Sequence, residues 1–359
     1  MVYRTLPARG ETTAFREFRG LRMRLAFVEQ TSAGSFSQYI SVDGARLHYV
    51  EHGTGAPVIL LHGNGSMVGD FISSGIVEQL GPGYRVLAFD RPGFGYSERP
   101  STRKWGPVEQ AKLLLRAWQF LDLERPVVVG HSWGTLVALA AALEAENRIA
   151  GLVLLSGYYY PTPMVRAYAR APSTLSVLPG MLRDALLPLA WRLAAPGAVE
   201  RIFAPCAVPE RFRRSYSLPD ALRPSQMRTV HEEAAMLPEV TTRLSASYKQ
   251  VDVPIRLLAG SEDGIVDTNA HSVRLHRELR HSTLKVIPRC GHMVHHAAPN
   301  EVARAIVGVR QAVGQTRPAC LGVPRHWLDI DGSTAVHGGS GGAAHLEVEG
   351  GLQPDLVMH

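Results

Sequence analysis

A serine lies at the centre of the pentapeptide Gly130-His131-Ser132-Trp133-Gly134, which follows an apolar run and precedes a segment rich in Ala and Leu. A serine on a sharp turn from strand to helix has a strained backbone, and glycines two residues to either side remove the Cβ atoms that would clash. The turn presents the hydroxyl at a helix N-terminus, where free N–H groups favour developing negative charge. The pattern predicts that Ser132 is a nucleophile.

Two later segments offer a general base and an acid to orient it, which a serine hydroxyl needs near neutral pH. Asp263 lies three residues beyond Gly260, at the end of an apolar run. His292 follows Gly291, which lets the loop turn sharply so that the imidazole points back over the sheet. The sequence predicts a triad of Ser132, Asp263 and His292.

Neighbouring residues are alternatives to the acid and the base. Glu262 is interpreted as a solvated neighbour and Asp267 as a helix-capping residue. His295 and His296 are interpreted as surface residues near the start of the last helix.

A second glycine-containing segment, His62-Gly63-Asn64-Gly65, ends the first predicted parallel strand. A tetrahedral intermediate needs preorganised donors, and the backbone N–H groups of Asn64 and Trp133 are predicted to supply them. His62 itself is interpreted as a packed, hydrogen-bonded residue. A dinucleotide loop is not indicated, because Val68 stands where G-x-G-x-x-G requires its last glycine.

The elements that must position these residues follow an alternating pattern. Extended runs at Phe36–Val42 and Arg46–Glu51 flank Asp43-Gly44, a hairpin signal. Short apolar runs typical of strands buried on both faces follow at Pro57–Leu61, Tyr84–Phe89, Pro126–Val129, Leu152–Leu155, Ile255–Ala259 and Leu284–Ile287. Helical segments are predicted at Val108–Asp122, Thr135–Ala145 and Glu301–Val313. The alternation predicts an α/β fold, with a mostly parallel central sheet and helices on both faces.

One long interval, residues 158–249, has helical stretches and many prolines but no strand run. Long structureless loops are rare in compact domains, so we predict an inserted helical cap with helices at Met181–Leu193, Val199–Phe203 and Gln226–Met236. Tyr158 and Tyr159 are predicted to bind substrate near the pocket entrance, under a roof lined by leucines and methionines. The cap divides the sheet domain into residues 36–157 and 250–314.

The two ends differ from this core. Residues 1–35 are Arg-rich, and a short surface helix is expected around Phe15–Phe27. Residues 315–359 contain Gly338-Gly339-Ser340-Gly341-Gly342 and are expected to form a flexible C-terminal tail.

Composition excludes several classes of function. The net charge is +6, but the basic residues are scattered and form no run of five or more, so nucleic-acid binding is not expected. Cys206, Cys290 and Cys320 are far apart and odd in number, which indicates neither a disulfide framework nor a zinc site. No apolar signal stretch follows Arg4 and Arg9, so we expect a cytoplasmic protein without stable membrane insertion.

The motifs together resemble the α/β-hydrolase superfamily from about Phe36 to Val313, outside most of the cap. The resemblance is carried by His62-Gly63-Asn64-Gly65, Asp90-Arg91-Pro92-Gly93-Phe94-Gly95-Tyr96-Ser97, Gly130-His131-Ser132-Trp133-Gly134, Gly260-Ser261-Glu262-Asp263 and Gly291-His292. It implies that Asp90 and Arg91 are structural. Asn64 and Trp133 are similar to the halide-binding pair of haloalkane dehalogenases, but those enzymes and the related epoxide hydrolases carry aspartate where this chain has Ser132.

These observations predict a serine hydrolase that cleaves an ester, lactone or related carbonyl bond of a small, largely apolar substrate through an acyl-enzyme. No cofactor and no metal are predicted. The alternatives are an acyltransferase or cofactor-free perhydrolase with the same triad, a C–C bond or amide hydrolase, and a noncatalytic ligand-binding protein on the same fold. The oligomeric state and the physiological substrate stay open.

Overall fold

The computed structural model describes residues 11–18, 21–31, 35–170 and 180–315; apart from its first residue, the predicted tail lies outside these ranges. Ten strands form one sheet in the order β1-β2-β3-β4-β6-β5-β7-β8-β9-β10. The strands are β1 Glu11–Phe18, β2 Leu21–Thr31, β3 Ser35–Val42, β4 Ala45–His52, β5 Ala56–Leu61, β6 Tyr84–Phe89, β7 Val127–His131, β8 Gly151–Leu155, β9 Ile255–Gly260 and β10 Ser282–Ile287. Strands β5 to β10 pair in parallel and β1 to β4 are antiparallel, so the prediction of a mostly parallel α/β core is confirmed.

The hairpin between β3 and β4 forms where the sequence predicts it. Val42 pairs with Ala45, which leaves Asp43 and Gly44 as a two-residue turn. Both residues have positive φ, 49° and 76°, as a type I′ turn requires.

The N-terminal segment departs from the prediction. The short helix expected around Phe15–Phe27 is wrong: β1 and β2 pair antiparallel, with Phe18 opposite Leu21. Apolar residues alternate with arginines from Leu21 to Leu25, and this period of two fits a strand better than a helix. Pairing of β2 with β3 then extends the sheet.

Helices cover both faces of the sheet, as predicted. They are α1 Val68–Ser74, α2 Ile76–Leu80, α3 Pro107–Phe120, α4 Trp133–Glu144, α5 Pro163–Arg170, α6 Gly180–Phe203, α7 Glu210–Ser215, α8 Leu218–Ala221, α9 Pro224–Ser245, α10 Arg274–Glu278, α11 Val294–Ala297 and α12 Pro299–Gln315. Successive residues of one strand enter opposite cores: Ile59 packs with α3 and α4, whereas Leu60 packs with α1 and α12. The central strands β7 and β8 are buried along their whole length, which explains their continuous apolar runs, whereas β10 at the edge of the sheet has exposed residues and is not buried on both faces as predicted.

Helices α5 to α9 occupy the interval between β8 and β9 where the cap is predicted. Helix α6 is continuous where the sequence predicts two separate stretches, and α9 runs on through Pro238 to Ser245. Burial of Leu237, Thr241 and Leu244 on one face of α9 stabilises the helix beyond the proline. None of the described helices combines the length and the apolar character needed to cross a membrane.

Candidate active site

Ser132 stands alone between the end of β7 and the first residue of α4. Its φ of 52° and ψ of −118° are strained for any residue with a Cβ. The flanking glycines allow this turn: a Cβ on Gly130 would lie 2.5 Å from the Gly134 carbonyl oxygen, and one on Gly134 would lie 2.2 Å from that of Leu61. The tight approach of β5, β7 and α4 thus holds Ser132 in its strained conformation.

Asp263 and His292 are joined by a hydrogen bond. The distance from His292 Nδ1 to Asp263 Oδ2 is 2.9 Å, and the side chains are 5% and 1% exposed. The other carboxylate oxygen accepts backbone N–H groups from Ile265 and Val266 at 2.8 and 2.9 Å. Burial raises the pKa of Asp263, but the imidazole and these N–H groups outweigh it and leave the pKa below its ordinary value. The carboxylate is therefore ionised and can hold a proton on Nδ1 of His292.

Gly260 lets the loop of Asp263 approach the loop of His292, and Gly291 lets the loop of His292 approach the end of α6. A Cβ on Gly260 would lie 2.2 Å from the Cys290 carbonyl oxygen, and one on Gly291 would lie 1.9 Å from that of Ala204. Backbone N–H of Glu262 donates to the same Cys290 oxygen at 2.9 Å. Glycine is therefore required at both positions, because each loop backbone lies against a neighbouring backbone.

His131 connects the serine turn to the base loop. Its Nε2 lies 3.2 Å from the His292 carbonyl oxygen, and the two imidazole rings are 4.8 Å apart. Among the described residues no hydrogen bond joins the Ser132 hydroxyl to the His292 ring, so that contact stays a prediction. Catalytic hydrogen bonds are often long in ligand-free enzymes and tighten when substrate binds.

The two predicted oxyanion donors lie on either side of the serine turn. Trp133 is the first residue of α4, where a backbone N–H has no partner within the helix. The loop after β5 lies against the nucleophile, since a Cβ on Gly63 would be 3.1 Å from Cβ of Ser132. Asn64 is anchored to the cap, because its Nδ2 donates to the Val230 carbonyl at 3.1 Å. Binding of an oxyanion by Asn64 and Trp133 stays a prediction.

His62 is a structural residue, as its interpretation from sequence requires. It is fully buried; Nδ1 lies 2.8 Å from the Gly63 carbonyl oxygen, and Nε2 accepts the backbone N–H of Arg91 at 3.0 Å. Burial, followed by the charge of Arg91, lowers its pKa to about 3. His62 is therefore a neutral residue whose hydrogen bonds support the loop after β5.

The alternatives for acid and base separate clearly. Glu262 is exposed, and Asp267 accepts backbone N–H groups of Asn269 and Ala270 at 2.8 and 2.9 Å, which is a capping role. The interpretation of His295 and His296 as surface residues is wrong, because both rings are buried and contact Asp70. The carboxylate that both rings contact lies far away in the chain, so the local sequence does not predict their burial.

Tyr158 and Tyr159 lie beside the acid loop. The Tyr158 hydroxyl donates to the Ile265 carbonyl at 3.4 Å, and the Tyr159 backbone N–H donates to His271 Nδ1 at 2.9 Å. Tyr159 is fully buried and packs on Tyr248. These contacts brace the segment that carries Asp263, and contact of either tyrosine with substrate stays a prediction.

The sequence predicts only part of a buried ionic cluster next to the loop after β5. Asp90 and Arg91 have the structural roles that the sequence implies: Asp90 accepts from Val68 and Tyr96 backbone N–H groups at 2.8 and 3.0 Å. Arg91 donates to the carbonyls of His62 and Gly63 at 2.8 and 3.1 Å. Its ion-pair partner, Glu233 in α9, carries no local sequence signal, since a glutamate in a helix is most often solvated.

Comparisons with known proteins agree with this fold. The sequence model for the alpha/beta hydrolase fold matches residues 56–299. Haloalkane dehalogenase 2 of Mycobacterium tuberculosis (strain ATCC 25618 / H37Rv) is 28% identical over 279 residues, which cover 76% of this chain and 93% of that protein. Two solved structures are similar in fold: an alpha/beta hydrolase fold protein from Burkholderia ambifaria (TM-score 0.61, 21% identity, 75% and 96% of the two chains) and the epoxide hydrolase CorEH (TM-score 0.62, 21% identity, 78% and 99%).

Proposed function

Because the chain belongs to the α/β-hydrolase family, we propose that it is a serine hydrolase that cleaves an ester, lactone or related carbonyl bond through an acyl-enzyme. Ser132 is the nucleophile, His292 the general base and Asp263 the acid that orients it. The backbone N–H groups of Asn64 and Trp133 bind the oxyanion.

The observation that carries the proposal is the combination of a strained serine with an oriented imidazole. Ser132 has a φ of 52° between β7 and α4, while the Asp263 carboxylate lies 2.9 Å from Nδ1 of His292. Strain of this kind persists only where the surrounding structure enforces it, and it concentrates at functional sites. A buried serine held in that way, together with an imidazole that a carboxylate orients, suits nucleophilic catalysis.

The positions of the protons in the proposed triad are those that acyl transfer requires. Ionised Asp263 keeps a proton on Nδ1 of His292, so Nε2 carries the lone pair that takes the Ser132 proton as the hydroxyl attacks the carbonyl carbon. The imidazolium returns this proton to the departing alcohol, and a water molecule then releases the acid by the same steps in reverse order. Each of the two donors to the oxyanion is worth roughly 3–4 kcal/mol by the size of single-donor losses in other enzymes.

The serine nucleophile favours carbonyl hydrolysis over the dehalogenation after which the M. tuberculosis relative is named. Displacement of a halide by a serine hydroxyl would leave an alkyl ether, which the same site has no route to hydrolyse. Attack of Ser132 on a carbonyl carbon gives an ester that water cleaves readily. Carbonyl substrates are therefore favoured over haloalkanes.

The substrate is proposed to be small and largely apolar. Ser132 and His292 are 7% and 4% exposed, so a substrate must leave bulk water to reach them. Apolar groups tolerate that transfer, whereas a charged substrate would need a buried partner.

Ser132→Ala tests the proposal. We expect the variant to lose hydrolysis of short p-nitrophenyl esters and labelling by a fluorophosphonate probe, with an unchanged melting temperature. Ser156→Ala is the matched control: Ser156 directly follows the neighbouring strand β8, is buried with a positive φ of 46°, and its hydroxyl has no hydrogen-bond partner among the described residues. Undiminished hydrolysis by Ser132→Ala would overturn the assignment.

Adding a primary alcohol to the same assay tests whether water or an alcohol accepts the acyl group. Products of a hydrolase stay mostly free acids, whereas an acyltransferase forms mostly the new ester. Absence of turnover and of probe labelling in the wild type would instead favour a noncatalytic binding protein.

A further inference from the structure

A buried carboxylate in α1 holds two adjacent imidazoles of α11. Oδ1 of Asp70 lies 3.0 Å from Nε2 of His295 and 2.8 Å from Nε2 of His296. The three side chains are 0%, 0% and 2% exposed. The proposed catalytic steps make no use of this cluster.

The cluster concentrates negative charge in the protein interior. The Asp70 carboxylate is fully buried, and the two imidazoles are its ionisable neighbours in the cluster. In the described part of the chain no Lys or Arg forms an ion pair with Asp70. A buried carboxylate without a permanent positive partner is costly, and a bound cation would offset that cost.

We propose that Asp70, His295 and His296 bind one divalent transition-metal ion, with Zn²⁺ as the best match. Two imidazole nitrogens and one carboxylate oxygen form a donor set that suits zinc, with water as a fourth ligand. Zn–ligand bonds of 2.0–2.2 Å place tetrahedral donors roughly 3.3 Å apart. The three donor atoms all lie within 4.8 Å of one another, so side-chain adjustments of up to roughly 1.5 Å bring them into range.

The surroundings of the cluster leave the required lone pairs free. Nδ1 of His295 has no partner within the described residues, so the ring can keep its proton there and present Nε2 to the ion. Ser66 Oγ donates to Oδ2 of Asp70 at 3.0 Å, which orients the carboxylate and leaves Oδ1 for the ion.

An aromatic shell separates the site from solvent on the cap side. The Phe203 and Phe212 rings lie 5.1 and 5.3 Å from the His296 ring. Phe212 and Tyr216 also line a cavity of about 200 Å³, which gives water and an ion a short route past one ring. A metal here would fix α1 to the segment that follows His292, so its expected role is structural.

Zinc uptake tests this site independently of the hydrolase proposal. Full-length protein is stripped with a chelator, incubated with Zn²⁺ and freed of unbound ion by gel filtration, after which zinc per chain is measured by atomic emission. Affinity is measured by competition with a chromophoric chelator. The variants are Asp70→Asn and His296→Gln, and His281→Gln is the matched control, because exposed His281 pairs with Asp252 at 3.1 Å outside the cluster.

We expect one zinc per chain in the wild type and in His281→Gln, and affinity weakened more than tenfold in the two cluster variants. Zinc should also raise the melting temperature of the wild type and of the control, but not of the cluster variants. If Asp70→Asn does not fold, His296→Gln and the visible spectrum of Co²⁺-loaded wild type still decide the matter. Equal zinc in all four proteins, or no zinc in the wild type, would overturn the proposal.

Discussion

Arg91 and Glu233 form a two-pronged ion pair that joins the sheet domain to the middle of α9, and neither side chain is exposed to solvent. Nη1 and Nη2 of Arg91 lie 2.5 and 3.0 Å from the two carboxylate oxygens. Gln110 of α3 donates to Glu233 at 2.9 Å and accepts from Arg91 at 2.9 Å. Since Arg91 also donates to the carbonyls of His62 and Gly63, the position of α9 is coupled directly to the loop after β5.

Replacement of Glu233 by Gln should therefore destabilise the protein strongly. Removing one partner leaves the Arg91 charge buried and unpaired, at a cost of about 3–5 kcal/mol in the free energy of unfolding. Urea unfolding measures the loss. Glu239→Gln is the control on the same helix: Glu239 pairs with Arg243 at the surface, with 70% and 68% exposure, and its loss should cost less than about 0.5 kcal/mol. Equal effects of the two substitutions would show that the buried pair contributes no more than a surface pair.

Asp263→Asn should lower kcat by roughly 10³–10⁴, the size of loss seen when the orienting acid of a serine triad becomes an amide. The amide cannot hold the proton on Nδ1 of His292, so the lone pair needed at Nε2 is lost from most molecules. Steady-state kinetics with p-nitrophenyl esters measure kcat and KM separately, and we expect KM to change little.

Asp267→Asn is the matched control for that experiment. It removes a carboxylate from the same loop, but one that accepts only the backbone N–H groups of Asn269 and Ala270. Its kcat should stay near the wild-type value. A comparable loss in both variants would mean that loop charge or loop stability matters and that proton orientation does not.

Gly134→Ala should abolish turnover and destabilise the fold. The added Cβ would lie 2.2 Å from the Leu61 carbonyl oxygen, which is backbone and cannot move aside as a flexible side chain can. Gly197→Ala in α6 is the control, because a Cβ there meets nothing within 4 Å and alanine favours a helix. Probe labelling of Ser132 and thermal melting measure the two effects. Near-normal labelling in Gly134→Ala would show that the turn tolerates a side chain.

The parts of the molecule encoded by local patterns could be predicted from the sequence. Strands with two buried faces leave continuous apolar runs, and the Asp43-Gly44 turn needs residues that tolerate positive φ. The strained turn at Ser132 could be anticipated because it demands glycines at fixed spacing. Gly260 and Gly291 marked the acid and base loops for the same reason, namely close approach of backbones.

The parts that depend on distant partners could not be predicted in this way. The local sequence suggests that His295 is a surface residue, because the buried carboxylate that its ring contacts, Asp70, lies far away in the chain in α1. The local sequence of Glu233 is typical of a solvated helix residue, and only the tertiary structure shows its ion pair with Arg91. Local sequence carries periodicity and turn chemistry, whereas buried polar contacts are set by the tertiary arrangement.

Two buried histidines should make the protein lose stability as the pH falls below neutral. His62 Nε2 accepts the Arg91 backbone N–H, and His271 Nδ1 accepts that of Tyr159 at 2.9 Å, so protonation of either nitrogen breaks a hydrogen bond. Burial is the main cause that lowers their pKa values from 6.5 to about 3 and about 4. Their contribution is complete above the unfolded-state pKa of 6.5 and is lost as the pH falls from there toward 4 and then 3, because the unfolded chain takes up protons that the folded chain refuses. Each group adds a slope of up to about 1.4 kcal/mol per pH unit, so urea unfolding between about pH 7.5 and 5 should show a steady fall. His271→Gln, which removes one of these sites of proton uptake, should flatten that fall, whereas an unfolding free energy that is constant over this range in the wild type would contradict the argument.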